Sequence, residues 1–273
     1  MDGATLLTAT ILGIVEGLTE FLPVSSTGHL ILADEVLGLA GPTSKLFYVV
    51  IQVGAILAVC WMYRARLWNA VVDLPNDATA RRFVWNVLLA FLPAAVIGTF
   101  AYRYIKTVLF SPWVVAVSLV VGGFVILLVE YLFERETEAD GDASVDAIGS
   151  RTAFGIGLCQ LLAMIPGVSR AGATILGAVA LGVPRRAATE FSFFLAIPTM
   201  FGAASYDLYK NWHAMDGNDF LVIGVGLVAS FVSALIVIRW FIGFVAHHRF
   251  TVFAWYRIGL GALALVLLAA FSH

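Results

Sequence analysis

The chain has 273 residues, 61% of them hydrophobic and 12% charged, with a formal net charge of -2 and a mean hydropathy of +0.94. Soluble domains carry about 25% charged residues, so this composition excludes an ordinary water-soluble domain. It suits helices whose outer faces meet lipid, and the near-neutral charge leaves no basic field to attract nucleic acid.

A membrane span needs about 20 apolar residues. The N-terminal Met1-Asp2-Gly3 has no basic flank, so a cleaved secretory leader is not expected. Residues 4–33 form an apolar stretch broken by Glu16, Glu20, Pro23 and a Ser/Thr/Gly run. Complete crossings are expected at 46–63, 83–102 and 112–133, and again at 189–208, 219–245 and 252–271. Between these two sets lies Glu134 to Ser150, acidic and without apolar period, which reads as a solvated linker. A second interrupted stretch follows at 152–182. Cys60 and Cys159 lie in apolar segments and read as small buried hydrophobes, with no disulfide framework.

The strongest basic cluster between spans is Arg64, Arg66, Arg81 and Arg82, which the positive-inside rule places in the cytoplasm. Threading six spans from there puts ten basic residues inside against Lys45, Arg103, Lys106 and Lys210 outside. This arrangement requires 4–33 and 152–182 each to return to the face they entered from, as re-entrant hairpins. A shift of 144 positions lays Val24-Ser25-Ser26-Thr27-Gly28 over Val168-Ser169-Arg170-Ala171-Gly172, with the pattern V-S-x-x-G-x-x-I-L common to both. The expected fold is an all-α polytopic membrane protein with six transmembrane helices and two re-entrant hairpins in an inverted-topology repeat. It forms one membrane domain over 1–273, with one half at about 1–133, a polar linker at 134–150 and the other half at about 151–273.

Carboxylates inside apolar helices are costly, about 2.5–3.5 kcal/mol each at a helix centre. Glu16 and Glu20, four apart, share one helix face with Cβ atoms roughly 5–6 Å apart. Such a pair holds a proton or a cation between its members, or neutralises an arginine. A hard divalent ion such as Mg²⁺ or Ca²⁺ suits an all-oxygen set. Pro23 ends that helix. Ser25, Ser26 and Thr27, with the free amides of the next helix, then make an anion site. His29, one turn past Ser26, is a candidate base or nucleophile, although a lone histidine is more often structural. In the second stretch Pro166-Gly167 breaks the helix, and Ser169 and Arg170 open the next one with Thr174 behind. Arg170 can clamp a phosphate in bidentate fashion or balance Glu16 or Glu20. Arg257 is a second candidate clamp, with snorkelling as its rival reading. Gln160 matches Glu16 under the repeat shift and can bond substrate or backbone.

The run from Glu16 to His29, EGLTEFLPVSSTGH, resembles the ExxxE and SSTGH signature of the undecaprenyl-diphosphate phosphatases, also called bacitracin-resistance proteins. The run from Pro166 to Thr174, PGVSRAGAT, resembles their second signature, PGxSRxxxT, and Glu190-Phe191-Ser192-Phe193 and Tyr256-Arg257 also fit. One departure is Ala171, where many members carry Ser. The resemblance spans nearly the whole chain. It implies hydrolysis of undecaprenyl pyrophosphate to the monophosphate in the bacterial inner membrane, recycling the carrier lipid for cell-wall synthesis. It also implies dependence on a divalent metal, a site facing the periplasm, and admits homodimers. Carried over by position, Glu16 and Glu20 are metal or acid–base residues, and Ser26 and His29 nucleophile and base candidates. Arg170 is then the phosphate clamp, supported by Ser25, Thr27, Ser169, Thr174, Gln160 and Arg257 as substrate-binding residues. The rival class is a transporter or flippase for a phosphorylated polyprenyl lipid, which would use the same arginine and carboxylates but needs no nucleophile.

Overall fold

A computed structural model of the chain describes residues 3–37, 44–104, 109, 111–133, 144–211 and 217–271. Its helices are α1 (Gly3–Thr19), α2 (Ser26–Leu37), α3 (Ser44–Met62), α4 (Arg64–Val72), α5 (Ala78–Tyr104), α6 (Pro112–Leu132), α7 (Ser150–Gln160), α8 (Arg170–Ala180), α9 (Arg185–Asn211), α10 (Gly217–Val245) and α11 (Thr251–Phe271). Among the described residues five helices are long and apolar enough to cross a membrane, or six if α3 and α4, bent by 73°, count as one span. The protein is therefore a multi-pass membrane protein. The long helices α3, α5, α6, α9, α10 and α11 fall on the six expected crossings.

Both interrupted stretches are short helix pairs, α1 with α2 and α7 with α8, and each pair packs against itself. Pro23 and Pro166 sit in the breaks, as expected from the missing amide donor. α1 packs on α10 and α7 on α5, α3 on α10 and α9 on α5, while α3 meets α9 and α6 meets α11. Glycine permits the closest of these crossings. A Cβ at Gly13 would run into the Gly226 carbonyl, and one at Gly157 into the Ala90 carbonyl.

Where it is described, the stretch read as a solvated linker is docked on the protein. Residues 134–143 lie outside the described ones, but 144–150 are docked. Val145 and Ile148 are buried, Arg66 pairs with Asp146, Arg82 donates to the Asp146 carbonyl, and Asn86 donates to the Ile148 carbonyl at 2.8 Å. The acidic composition hid two apolar anchors. At the head of α5, Asp77 accepts the Thr79 and Ala80 amides at 2.9 and 3.2 Å, and the Thr79 amide draws its carboxyl below the ordinary range. A further buried pair, Arg185–Glu130 at 3.2 Å, ties the end of α6 to the start of α9.

Gly157→Val forces α7 off α5, because backbone rather than a flexible side chain stands in the way. The expected loss is about 1–3 kcal/mol, read as a lower Tm of the protein in detergent. Gly149→Ala, whose Cβ meets nothing within 4 Å, leaves Tm unchanged.

Candidate functional site

The two helix breaks are built alike. Ser25 and Ser169, matched by the 144-residue shift, both take left-handed backbone angles, with φ of 72° and 53°. For a non-glycine residue this costs about 1–2 kcal/mol. It turns each serine hydroxyl back onto the following helix, where it accepts the Gly28 amide at 3.3 Å and the Gly172 amide at 3.0 Å. Ser169 Oγ also reaches the Leu22 carbonyl across the gap, at 3.3 Å.

Three functional groups converge between the turns. Arg170 donates through Nη2 to Glu20 Oε1 at 2.8 Å, with side-chain exposures of 11% and 4%. The Ser26 hydroxyl donates to the other Glu20 oxygen. One carboxylate thus joins a hydroxyl in the first break to a guanidinium in the second. Arg170 Nη1 is held by the Ser192 carbonyl at 2.9 Å and the Ser192 hydroxyl at 3.2 Å. Thr174 orients that hydroxyl at 2.6 Å, and its own Oγ1 donates to the Arg170 carbonyl at 2.9 Å. Glu16 is fully buried, and neither of its carboxylate oxygens has a hydrogen-bond partner.

A cavity of about 450 Å³ opens onto this cluster. Of the residues expected from sequence, Glu20, Ser25, Ser26, Thr27, Gln160, Ser169 and Arg170 line it. Four others do not. Glu16 sits behind Glu20. Thr174 is wholly buried and acts on Arg170 through Ser192, so it is a positioning residue and not a substrate contact. His29 has its Nδ1 on the Ser25 carbonyl at 2.8 Å and its Nε2 on the Tyr256 hydroxyl at 2.6 Å, so neither ring nitrogen is directed at Ser26. The helical turn that brings His29 level with the break points its ring toward α11.

The expected second clamp, Arg257, is corrected most sharply. It is 2% exposed. Its guanidinium donates to the carbonyls of Pro23 at 3.1 Å, Gly167 at 2.8 Å, Ser118 at 3.1 Å and Leu119 at 3.4 Å. It holds both breaks to α6, and it is not among the residues that line the cavity. Gly122 makes room for it, since a Cβ there would collide with Nη2.

Sequence reasoning missed several cavity residues. Gln52, Thr199 and Asp207 line the cavity; Asp207 is 4% exposed. Their signal was faint: single polar residues in otherwise apolar spans. Ser192 lay inside a stretch noted for its resemblance, yet carried no assigned role. Among the described residues no group of three or more His, Cys, Asp or Glu gathers to hold a metal.

Comparison with known proteins decides the family. Residues 9–263 match the family described as bacitracin resistance protein BacA. The chain belongs to that family. Its relatives include a protein named Undecaprenyl-diphosphatase 2 from Paramagnetospirillum magneticum, 53% identical over 96% of this chain and 99% of the relative. Proteins named Undecaprenyl-diphosphatase from Laribacter hongkongensis and Nitrosospira multiformis are 50% and 51% identical, over 97% and 100% of this chain and 96% and 97% of theirs. Membership of the BacA family thus rests on nearly the full length, both breaks included.

Arg257→Met removes the donors of four backbone carbonyls. Buried acceptors left unpaired cost about 1–3 kcal/mol each, so a loss of about 3 kcal/mol or more is expected. Amide hydrogen exchange in detergent should quicken in 23–28 and 167–172 together. Loosening of α6 and α11 with both turns unchanged would contradict the assignment of Arg257 as their tie.

Proposed function

We propose that this BacA-family chain is an undecaprenyl-diphosphatase, hydrolysing undecaprenyl pyrophosphate within the bilayer to the monophosphate and inorganic phosphate. The observation that carries the reading is the Ser26–Glu20–Arg170 chain facing one cavity. The names of relatives about half identical over nearly full length support the substrate. Bacitracin resistance would follow from faster turnover of that lipid.

In the proposed reaction the Ser26 hydroxyl attacks the terminal phosphorus and its proton passes to Glu20 Oε2. The bond from that phosphorus to the bridging oxygen breaks, and the electron pair leaves with the lipid phosphate. Water then attacks the phosphoserine, the Ser26 Oγ–P bond breaks, Glu20 returns its proton to Ser26 Oγ, and inorganic phosphate departs with the water's oxygen and protons. Arg170 offsets charge on the transferred group, which positioning and neutralisation largely suffice to stabilise. Arg170 is already anchored by Ser192, so little reorganisation is needed when substrate arrives. His29 has no part in this step.

A divalent cation fits beside these residues. Glu16 brings two buried oxygens without a donor next to Glu20, and Mg²⁺ or Ca²⁺ would satisfy them. Bound there, the ion would neutralise phosphate charge.

The inverted repeat belongs to the same proposal, with halves at about 1–133 and 151–273 and the hairpins α1–α2 and α7–α8 re-entrant. In its support, the exchange of α1 with α7, α3 with α9 and α5 with α10 turns the packing of α1 on α10 into that of α7 on α5. It likewise turns α3 on α10 into α9 on α5. The cytoplasmic placement of the basic Arg64–Arg82 face rests on charge, and the inner-membrane placement with the site open to the periplasm rests on the family resemblance. A transporter for a phosphorylated polyprenyl lipid remains the rival. The hydroxyl already donating to a carboxylate favours hydrolysis, since transport has no use for a nucleophile.

Purified protein should release phosphate from undecaprenyl pyrophosphate in detergent, and EDTA should abolish release. Ser26→Ala, Glu20→Gln and Arg170→Lys should each lower kcat by about 10²–10³-fold, and His29→Ala by far less. Well-folded wild-type protein that binds the lipid through Arg170 but releases nothing would favour the transporter.

A further inference from the structure

The proposed reaction uses one end of the cavity and leaves a polar pair beside it. Gln160, the last residue of α7, is 2% exposed and lines the cavity. Its Oε1 accepts from the Thr199 hydroxyl at 3.3 Å, while that same hydroxyl donates to the Leu195 carbonyl at 2.8 Å. Its Nε2 is buried and has no partner. An amide with one long bond and an unused donor is poorly justified as a structural element, because buried donors are almost always satisfied. The adjoining residue, Met200, places its sulfur 3.7 Å from Arg170 Nη2. The Gln160–Thr199 pair therefore stands next to the Arg170 cluster without belonging to it.

Resting on the phosphatase reading, we propose that Gln160 Nε2 binds the lipid-bearing phosphate of the substrate, while Ser26 and Arg170 engage the terminal one. A diphosphate brings two anionic groups into one cavity, and Arg170 and Ser26 are directed to the group that is transferred. The other phosphate remains on the product lipid and has to be let go. A neutral amide suits that task, since it hydrogen-bonds the phosphate without the full positive charge and bidentate fork with which an arginine holds one. An arginine here would retain the monophosphate. The repeat shift sharpens the point: it sets Gln160 against Glu16, and a carboxylate at 160 would repel the very group bound there.

The test uses the full-length protein in detergent and reads three constants: KM for undecaprenyl diphosphate, and inhibition constants for undecaprenyl monophosphate and for inorganic phosphate. Gln160→Leu should raise the first two together by about three- to tenfold and leave the inorganic phosphate constant unchanged. Gln160→Glu should raise both further, by tenfold or more. Thr199→Val, which frees the amide from its anchor, should shift both in the same direction by less, and it carries the test if the Gln160 variants do not fold. Unchanged monophosphate inhibition in the folded variants overturns the assignment, as does a change confined to inorganic phosphate. Wild-type protein that hydrolyses nothing would instead sink the phosphatase reading itself.

Discussion

A helix interrupted inside a membrane exposes amides and carbonyls that hydrocarbon cannot satisfy, and each one left unpaired costs several kcal/mol. This protein interrupts helices twice, and the remainder of the structure depends on how those breaks are stabilised. Ser25 and Ser169 cap the amide ends of α2 and α8. The carbonyl ends fall to Arg257, whose guanidinium donates to Pro23 in one break and Gly167 in the other. A planar fork with five donors can serve carbonyls in several directions at once, which an ammonium on a flexible stem does poorly. The charge of Arg257 therefore goes into architecture. With the Ser169–Leu22 bond and the Arg170–Glu20 pair, that tie fixes the separation of the two turns that frame the cavity.

With the breaks held, their contents become complementary. The first supplies an acid and a hydroxyl, the second an arginine, and Glu20 is the group at which they meet. Removing water from a salt bridge is expensive unless its geometry and remaining bonds are good. Here Ser192 holds Arg170 from behind, Ser26 takes the second Glu20 oxygen, and the Phe21 ring lies 5.8 Å from the guanidinium carbon. A pair held in this way is fixed in place, with Arg170 Nε left buried and without a partner. Glu16 is not held in this way. Its carboxylate is buried and unbonded beside a second acid, an arrangement that calls for a proton or a cation.

The halves are alike in backbone and unlike in chemistry. Capping serines in left-handed geometry and glycine at each close crossing recur at the 144-residue shift, and each break holds a proline, Pro23 and Pro166, one position out of that register. The side chains at matched positions do not: Ser26 is matched by Arg170, and Glu16 by Gln160. On the proposed reading, a repeated scaffold would hold an asymmetric set of charges, as a substrate with two inequivalent phosphates would require.

Much of this was legible in the chain itself. Apolar runs of spanning length located the long helices, since hydrocarbon thickness dictates their extent, and prolines with serines and glycines marked both breaks. Intramembrane polar residues flagged Glu20, Ser26 and Arg170, because their burial is too costly to be incidental. What the sequence could not determine was direction. Arg257 and Arg170 look alike as lone arginines in apolar helices, yet one is enclosed by four carbonyls and the other lines the cavity. His29 lies one turn from Ser26 on paper, but its ring is drawn to Tyr256, 227 residues away. The docked residues 144–150 were concealed by acidic neighbours. In each case the deciding partner is distant along the chain, and only packing brings it near: spacing specifies which face of its own helix a residue occupies, whereas tertiary structure alone decides what that face meets.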